Sequence, residues 1–305
     1  MRRIRKKKFG SSVNRTVFII TTLMLPLLHW AVFWLYVNFD GILMAFQSSR
    51  TGEWTLDNFA YVWQQLTMDS GDLRIALRNT MYYFIESNVL LVLNLIVAYF
   101  IYKKIRGYKA YRIIFYIPGL VSSVVLTTIF QEFIKPFGPL GDLLGLLGIN
   151  LPETGLLADK GTATYTIMAY NVWVGFSGWV LMFSSSMSRL PAEVMDAAKL
   201  DGCGPFREVF SIVLPMIAPM FTTLFILNFT SIFSASGPVL LFTQGRFETT
   251  TISYWMFTQV YGNGGYGGTG QYNIVSAFGL CLTAVAVPLT MGLRALLEKL
   301  PTSEY

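Results

Sequence analysis

Residues 191–215 read Pro191-Ala-Glu-Val-Met-Asp-Ala-Ala-Lys-Leu-Asp-Gly-Cys-Gly-Pro-Phe-Arg-Glu-Val-Phe-Ser-Ile-Val-Leu-Pro215. The pattern is a polar helix–turn–helix set between long apolar stretches. Pro191 is expected at the first helical position, where its missing N–H costs nothing. Glu193 and Asp196 lie near the positive N-terminal end of that helix. Ala197 and Ala198 are small and let another surface approach closely. Gly202 follows Leu200-Asp201 as a C′ residue with positive φ. Gly204-Pro205 starts a second short helix, and Pro215 is expected to kink the apolar stretch that follows.

The surroundings are built for lipid. The chain has 305 residues, 53% hydrophobic and 13% charged, against the roughly 25% charge of soluble domains. Six apolar stretches approach the ~20 residues needed to cross a bilayer core: 17–37, 81–102, 113–133, 163–183, 212–233 and 273–293. The expected fold is all-α, a polytopic membrane protein of six transmembrane helices. Its parts are a basic N-terminus (1–16), one membrane domain (17–299) that includes the polar loop 188–210, and a short tail (300–305).

Charge placement orients the chain. Of its 23 Lys and Arg, 17 fall on the N-terminus, the second-to-third connection, the fourth-to-fifth connection and the tail. Positive charge collects on the cytoplasmic side, so both termini and residues 191–206 are expected there. The basic N-terminus is thus an orientation signal and implies no nucleic-acid partner. The first apolar stretch is longer than a signal-peptide core and lacks an Ala-x-Ala-like site, so it reads as a retained span. Cys203 and Cys281 fall on the polar loop and in the last span and imply no disulfide framework.

Glu193, Asp196, Asp201 and Glu208 put acids on a face near anionic lipid, where basic residues would be favoured. A protein partner explains them better than a membrane-surface loop does. On the exterior, a short helix is expected over 56–66, started by Asp57. The loop 135–161 is expected along the membrane surface. The aromatic stretch Ser253–Tyr261 is too short to span and reads as a re-entrant or interfacial helix.

Asp196-Ala-Ala-x-x-Asp201-Gly202 followed by Leu214-Pro215 resembles the EAA loop of permease subunits of binding-protein-dependent ABC importers. Leu190-Pro-Ala-Glu193, Thr55-Leu-Asp-Asn-Phe59 and Leu77-Arg-Asn-Thr80 resemble the same family. Ser303-Glu-Tyr305 lacks the ending of a sister class, so the resemblance is to the maltose- and lactose-type first permease subunit. It covers nearly the whole chain. It implies the type I ABC importer fold and a bacterial inner or cytoplasmic membrane location. It also implies a second homologous permease, nucleotide-binding ATPase subunits and an extracellular solute-binding protein as partners. It makes residues 191–200 a coupling helix in an ATPase cleft, with Glu193, Asp196, Ala197, Ala198, Asp201, Gly202 and Pro215 as the docking set. Asp196 stands where the family usually has Glu, one methylene shorter.

Little else carries chemistry. Gly262-Asn-Gly-Gly-Tyr-Gly267 spells G-x-G-x-x-G, but it follows no βαβ strand and reads as a flexible exterior loop. No G-x-x-x-x-G-K-[ST] is present, so ATP work is assigned to another subunit. No catalytic set, metal site or cofactor is expected. His29, the sole His, reads as a neutral intramembrane residue. Glu86 in the second span is either a functional carboxylate or one near the headgroups. Sugar sites combine aromatic faces with amides and hydroxyls. Tyr170, Asn171, Trp173, Ser177 and Trp179, then Asn228, Thr230 and Ser231, then Tyr254, Trp255 and Tyr272 offer these groups. Asn171, Trp173, Ser177, Asn228, Thr230, Tyr254 and Trp255 form the candidate substrate path, against a packing role for each. The expected function is half of the path of an ATP-driven carbohydrate importer. The alternatives are a non-sugar solute (glycerol phosphate, peptide) and a secondary carrier, which would show repeats.

Overall fold

The computed structural model describes residues 9–68, 71–149, 151–234, 237–262 and 271–297. These residues are helical almost throughout, joined by turns and one isolated bridge between Gln47 and Trp54. Among the described residues, four helices are long and apolar enough to cross a membrane: Arg15–Ala45, Asp72–Tyr102, Ala163–Met187 and Tyr272–Leu297. Two bent pairs raise the number to six if each pair is one span.

Those bent pairs are the third and fifth apolar stretches; a kink was expected only in the fifth, at Pro215. The third is Tyr108–Leu120 and Ser123–Phe133, at 111° to each other. Pro118 deprives this helix of a backbone donor, and Val121 leaves it as extended chain, φ −99° and ψ 144°. The fifth is Pro205–Met216 and Ala218–Thr230, at 86°. Pro215 was expected to kink it. The break falls at Ile217 (φ −101°, ψ 11°), midway between Pro215 and Pro219. Two nearby prolines remove two ladder donors, and the residue between them leaves the helical path.

The chain divides into two compact units. One comprises Met1–Val62 with Gln271–Leu280. Its first span carries a π-helical stretch, Ala31–Tyr36, and exposes its large apolar side chains along its length. Asn58 donates to the carbonyls of Ala45 and Gln47, each at 2.9 Å. Asn273 donates to Met44 and Gln47 at 3.0 and 2.7 Å. Thr55 Oγ1 accepts from the N–H of Asp57 at 3.1 Å and starts the short helix Asp57–Thr67. The helix expected over 56–66 is therefore present, and the Thr55–Phe59 motif has a structural reason.

The other unit comprises Trp63–Gly270 with Cys281–Tyr305. Its centre is the second span against the fourth. Leu90 lies so close to Gly175 that a Cβ there would collide with it. Asn94 donates to the carbonyls of Leu90 (2.8 Å) and Gly175 (3.4 Å). Leu91, Leu95, Ala98, Val180, Phe183 and Met187 continue the seam as buried core. A short helix Pro139–Leu146 lies within the loop 135–161 and exposes Leu143 and Leu146. The aromatic stretch expected to be a short helix forms one, Ile252–Tyr261, its start capped where Thr251 Oγ1 accepts from the N–H of Tyr254 at 3.3 Å.

Candidate functional site

The polar loop folds as its punctuation requires, with one shift. Pro191 is the N-cap residue, in extended conformation, and the helix runs Ala192–Leu200. It was expected one position later, at the first helical residue. Asp201 is the C-cap and Gly202 follows at φ +68°. The Gly202 N–H donates to Lys199 O (3.1 Å) and the Cys203 N–H to Ala198 O (3.0 Å). This pair of bonds is a complete Schellman ending. Gly204 then caps a second helix with Pro205 in its first turn.

The helix has two distinct faces. Met195 is buried in the same core as Leu91, Tyr99, Val209 and Val213, and Ala198 is buried as well. Glu193, Asp196, Ala197 and Leu200 are exposed, as are Asp201 and Gly202 beyond it. Burying a side chain such as Met contributes roughly 1.5–3 kcal/mol. The surface pair Asp196–Lys199, 3.2 Å and well exposed, contributes about 0–1 kcal/mol. Apolar anchoring therefore holds the helix, and its acids are left for other contacts. Ala198, placed in the docking set by sequence, turns inward. Pro215 lies in the fifth span and is partly buried.

Glu208 is a correction. Sequence grouped it with the exposed acids, but its side chain is 4% exposed and forms an ion pair with Lys103 at the end of the second span. Lys103 also lies over the Tyr99 ring, 5.7 Å from its centroid. A carboxylate buried to this degree needs such a partner. No sequence signal links the two residues, which stand on different connections. Nearby, Ile101, Lys104, Tyr108, Arg112, Ser184, Ser185 and Ser188 line a cleft of about 550 Å³. The second-to-third and fourth-to-fifth connections thus meet at one end of this unit, as the shared basic charge requires.

The opposite end holds a second polar assembly. Asn79, fully buried, donates to Glu248 O (2.6 Å) and Thr250 O (2.8 Å). Thr80 Oγ1 accepts from the N–H of Ile252 at 3.0 Å. Arg78 and Lys160 reach Glu248 at 3.3 and 2.9 Å. Their hydrogen bonds hold the Glu248 carboxyl below its usual range. Gln244, Phe247 and Glu248 have φ of +52°, +57° and +58°. Each left-handed non-glycine residue costs about 1–2 kcal/mol, so the loop needs this fastening. The Arg78-Asn79-Thr80 motif therefore acts as a clamp on the loop before Ile252–Tyr261.

The candidate path residues separate into two groups. Tyr254 and Trp255 are 4% and 3% exposed and belong to the core. Tyr254 packs with Tyr83, Ile167 and Val239. Ser177 faces Gly119 of the third span and donates to Val174 O at 2.9 Å, a packing position. Asn171, Trp173, Asn228 and Thr230 keep accessible surface. Trp173 stacks on Phe130, with centroids 6.2 Å apart, over a crevice of about 330 Å³ lined by Ile129, Phe130, Phe133 and Trp173. Asn171 lies beside Gly237. One oxygen of Glu86 is buried with no partner among the described residues. Tyr170, one of the groups the sequence offered, and Phe242 lie edge-on to Phe130. The glycine motif lies, beyond Gly262, outside the described residues.

Comparison with known proteins follows this geometry. Residues 91–301 match the family model described as binding-protein-dependent transport system inner membrane component. The chain is 24% identical over 250 residues to the multiple sugar-binding transport system permease protein MsmF of Streptococcus mutans, covering 81% of this chain and 86% of that one. It is 27% identical over 180 residues to the sn-glycerol-3-phosphate transport system permease protein UgpA of Pectobacterium atrosepticum, covering 58% and 60%. It is 28% identical over 155 residues to the maltose/maltodextrin permease protein MalF of Escherichia coli, covering 49% and 30%. The match thus spans less than two thirds of the last two. The fold resembles a chain from a bacterial ABC transporter involved in import of the acidic polysaccharide alginate, with TM-score 0.77, 18% identity and coverage of 96% and 99%.

Proposed function

The chain belongs to the family of binding-protein-dependent transport system inner membrane components, and from that premise we propose that it is a permease subunit of an ATP-driven carbohydrate importer. It is a non-catalytic half of the translocation path. Residues 17–299 form one membrane domain, with both termini and the helix Ala192–Leu200 on the cytoplasmic side. A second, homologous permease supplies the other half. Two ATPase subunits drive the cycle, and an external binding protein delivers the sugar.

The observation that carries this reading is the two-faced helix Ala192–Leu200. Its apolar face is anchored in the membrane domain through Met195 and Ala198, while Glu193, Asp196 and Ala197 point outward. A helix held this way transmits force, and its exposed acids offer charge-assisted contacts to basic groups in an ATPase cleft. Glu193, Asp196, Ala197 and Asp201 form the docking face. Gly202 sets the turn, and Ala198 and Pro215 act within the subunit. Asn171, Trp173, Asn228 and Thr230 are the path residues supported by their accessibility.

A second reading, import of a phosphorylated polyol, draws on the similarity to UgpA. Purification of the tagged chain with its neighbours tests the subunit assignment. Uptake of radiolabelled maltotriose against sn-glycerol 3-phosphate by the reconstituted complex separates the two solutes. Absence of an ATPase from the purified complex would contradict both readings.

A further inference from the structure

Resting on the reading that Ala192–Leu200 docks the ATPase, we propose that the second span is a strut. It carries the docking movement to the exterior loop, with Lys103 and Glu208 as the positioning residues that fasten its inner end. The helix Asp72–Tyr102 has 31 residues and no internal proline or break. At 1.5 Å per residue it is about 46 Å long. The third and fifth spans are bent by 111° and 86°. A push entering the fifth span at Pro205 meets the break at Ile217. A push entering the second span meets none.

Both ends of this helix are tied. At the inner end, Glu208 lies just past the Gly202 turn and pairs with Lys103, the C-cap of the second span. The side chains are 4% and 20% exposed. Separating them would leave a buried, uncompensated charge, a strongly unfavourable state. Tyr99 backs Lys103 from the same helix. The docking helix packs through Met195 into the same cluster as Tyr99 and Val209. At the outer end, Asn79 and Thr80 bond the backbone of Glu248, Thr250 and Ile252. One continuous helix therefore joins the docking loop to a strained loop on the side where the binding protein arrives.

The test uses the full complex with its ATPase, in a background with Cys203→Ala and Cys281→Ser, and a fluorophore on Phe247→Cys. The readouts are ATP hydrolysis, ATPase retention and the change in fluorophore quenching on trapping nucleotide with vanadate. Lys103→Met breaks the pair. Lys103→Met/Glu208→Met breaks it without leaving a buried charge. The double variant, which leaves no unpaired charge, should retain and run the ATPase. The quenching change on vanadate trapping should fall about tenfold or more, the size of an ordinary coupling between sites. A wild-type quenching change in the double variant overturns the proposal. Loss of the ATPase from both variants also overturns it, because the pair would then only build the docking loop. Asp196→Lys reads docking separately: an ATPase retained at full activity there overturns the docking reading, and with it the strut's input, whereas a wild-type quenching change in the double variant overturns the strut alone.

Discussion

The Cys203 N–H donates to the carbonyl of Ala198 at 3.0 Å, across the left-handed Gly202. This bond closes the helix Ala192–Leu200 and fixes the direction in which the chain leaves for the fifth span. Nothing lies within 4 Å of where a Cβ on Gly202 would stand. The demand for glycine is therefore conformational, not steric. Gly202→Val should strain the turn by ~1–3 kcal/mol and lower uptake while the subunit still inserts. Gly202→Asn, which tolerates the left-handed region, should retain most uptake. Equal loss in both would mean that the side chain itself obstructs a partner.

The outer clamp makes a stability prediction. Asn79→Ala strips the carbonyls of Glu248 and Thr250 of their amide donor. Leaving a fully buried group unpaired costs ~1–3 kcal/mol, and these part-buried carbonyls lose less than that each. Hydrogen exchange at Thr249 to Ile252 should rise while the seam around Leu91 stays protected. Unchanged exchange would show that the loop holds itself.

Glu248 gives the clamp a pH dependence. Lys160 and Arg78 hold its folded pKa below the ordinary value. Its contribution is therefore present above the ordinary carboxylate range, and it is lost as pH falls through the lowered folded value. Protection of the loop, corrected for intrinsic exchange, should persist below about pH 4.3, the ordinary Glu value. Glu248→Gln should remove the acid transition. A transition at the ordinary Glu value would mean that the two ion pairs do not form in solution.

Accessible path residues should behave differently from buried ones. Trp173→Ala and Asn171→Ala should lower uptake with normal basal ATPase and normal assembly. Tyr254→Ala empties a core position and should lower assembly as well, since truncating a buried aromatic costs ~3–5 kcal/mol. Uptake at wild-type level in both Trp173→Ala and Asn171→Ala would remove the fourth span from the path.

How much of this was legible in sequence depended on range. The caps and turns of residues 191–205 were, because Pro191, Gly202 and Gly204-Pro205 are local signals whose meaning depends on the backbone alone. The short helices at Asp57 and Ile252 were legible for the same reason. The break near Ile217 was half visible in Pro215, and Pro219 completes the cause. The bend after Pro118 had the same kind of signal, but an unbroken apolar run concealed it. The Lys103–Glu208 pair was not legible, since charge alone does not say which acids turn inward. Tyr254 and Trp255 misled because aromatic residues that suit a sugar equally suit a core.

The most direct measurement of the central claim is the effect of Asp196→Lys on ATPase copurification and on uptake by the same reconstituted complex. Asp196 is exposed, and its ion pair is with Lys199 on its own helix, so reversing it leaves the fold in place. The account predicts an inserted, folded subunit from which the ATPase dissociates, or which hydrolyses ATP without import. Wild-type uptake with the ATPase still bound would contradict the docking role of Ala192–Leu200.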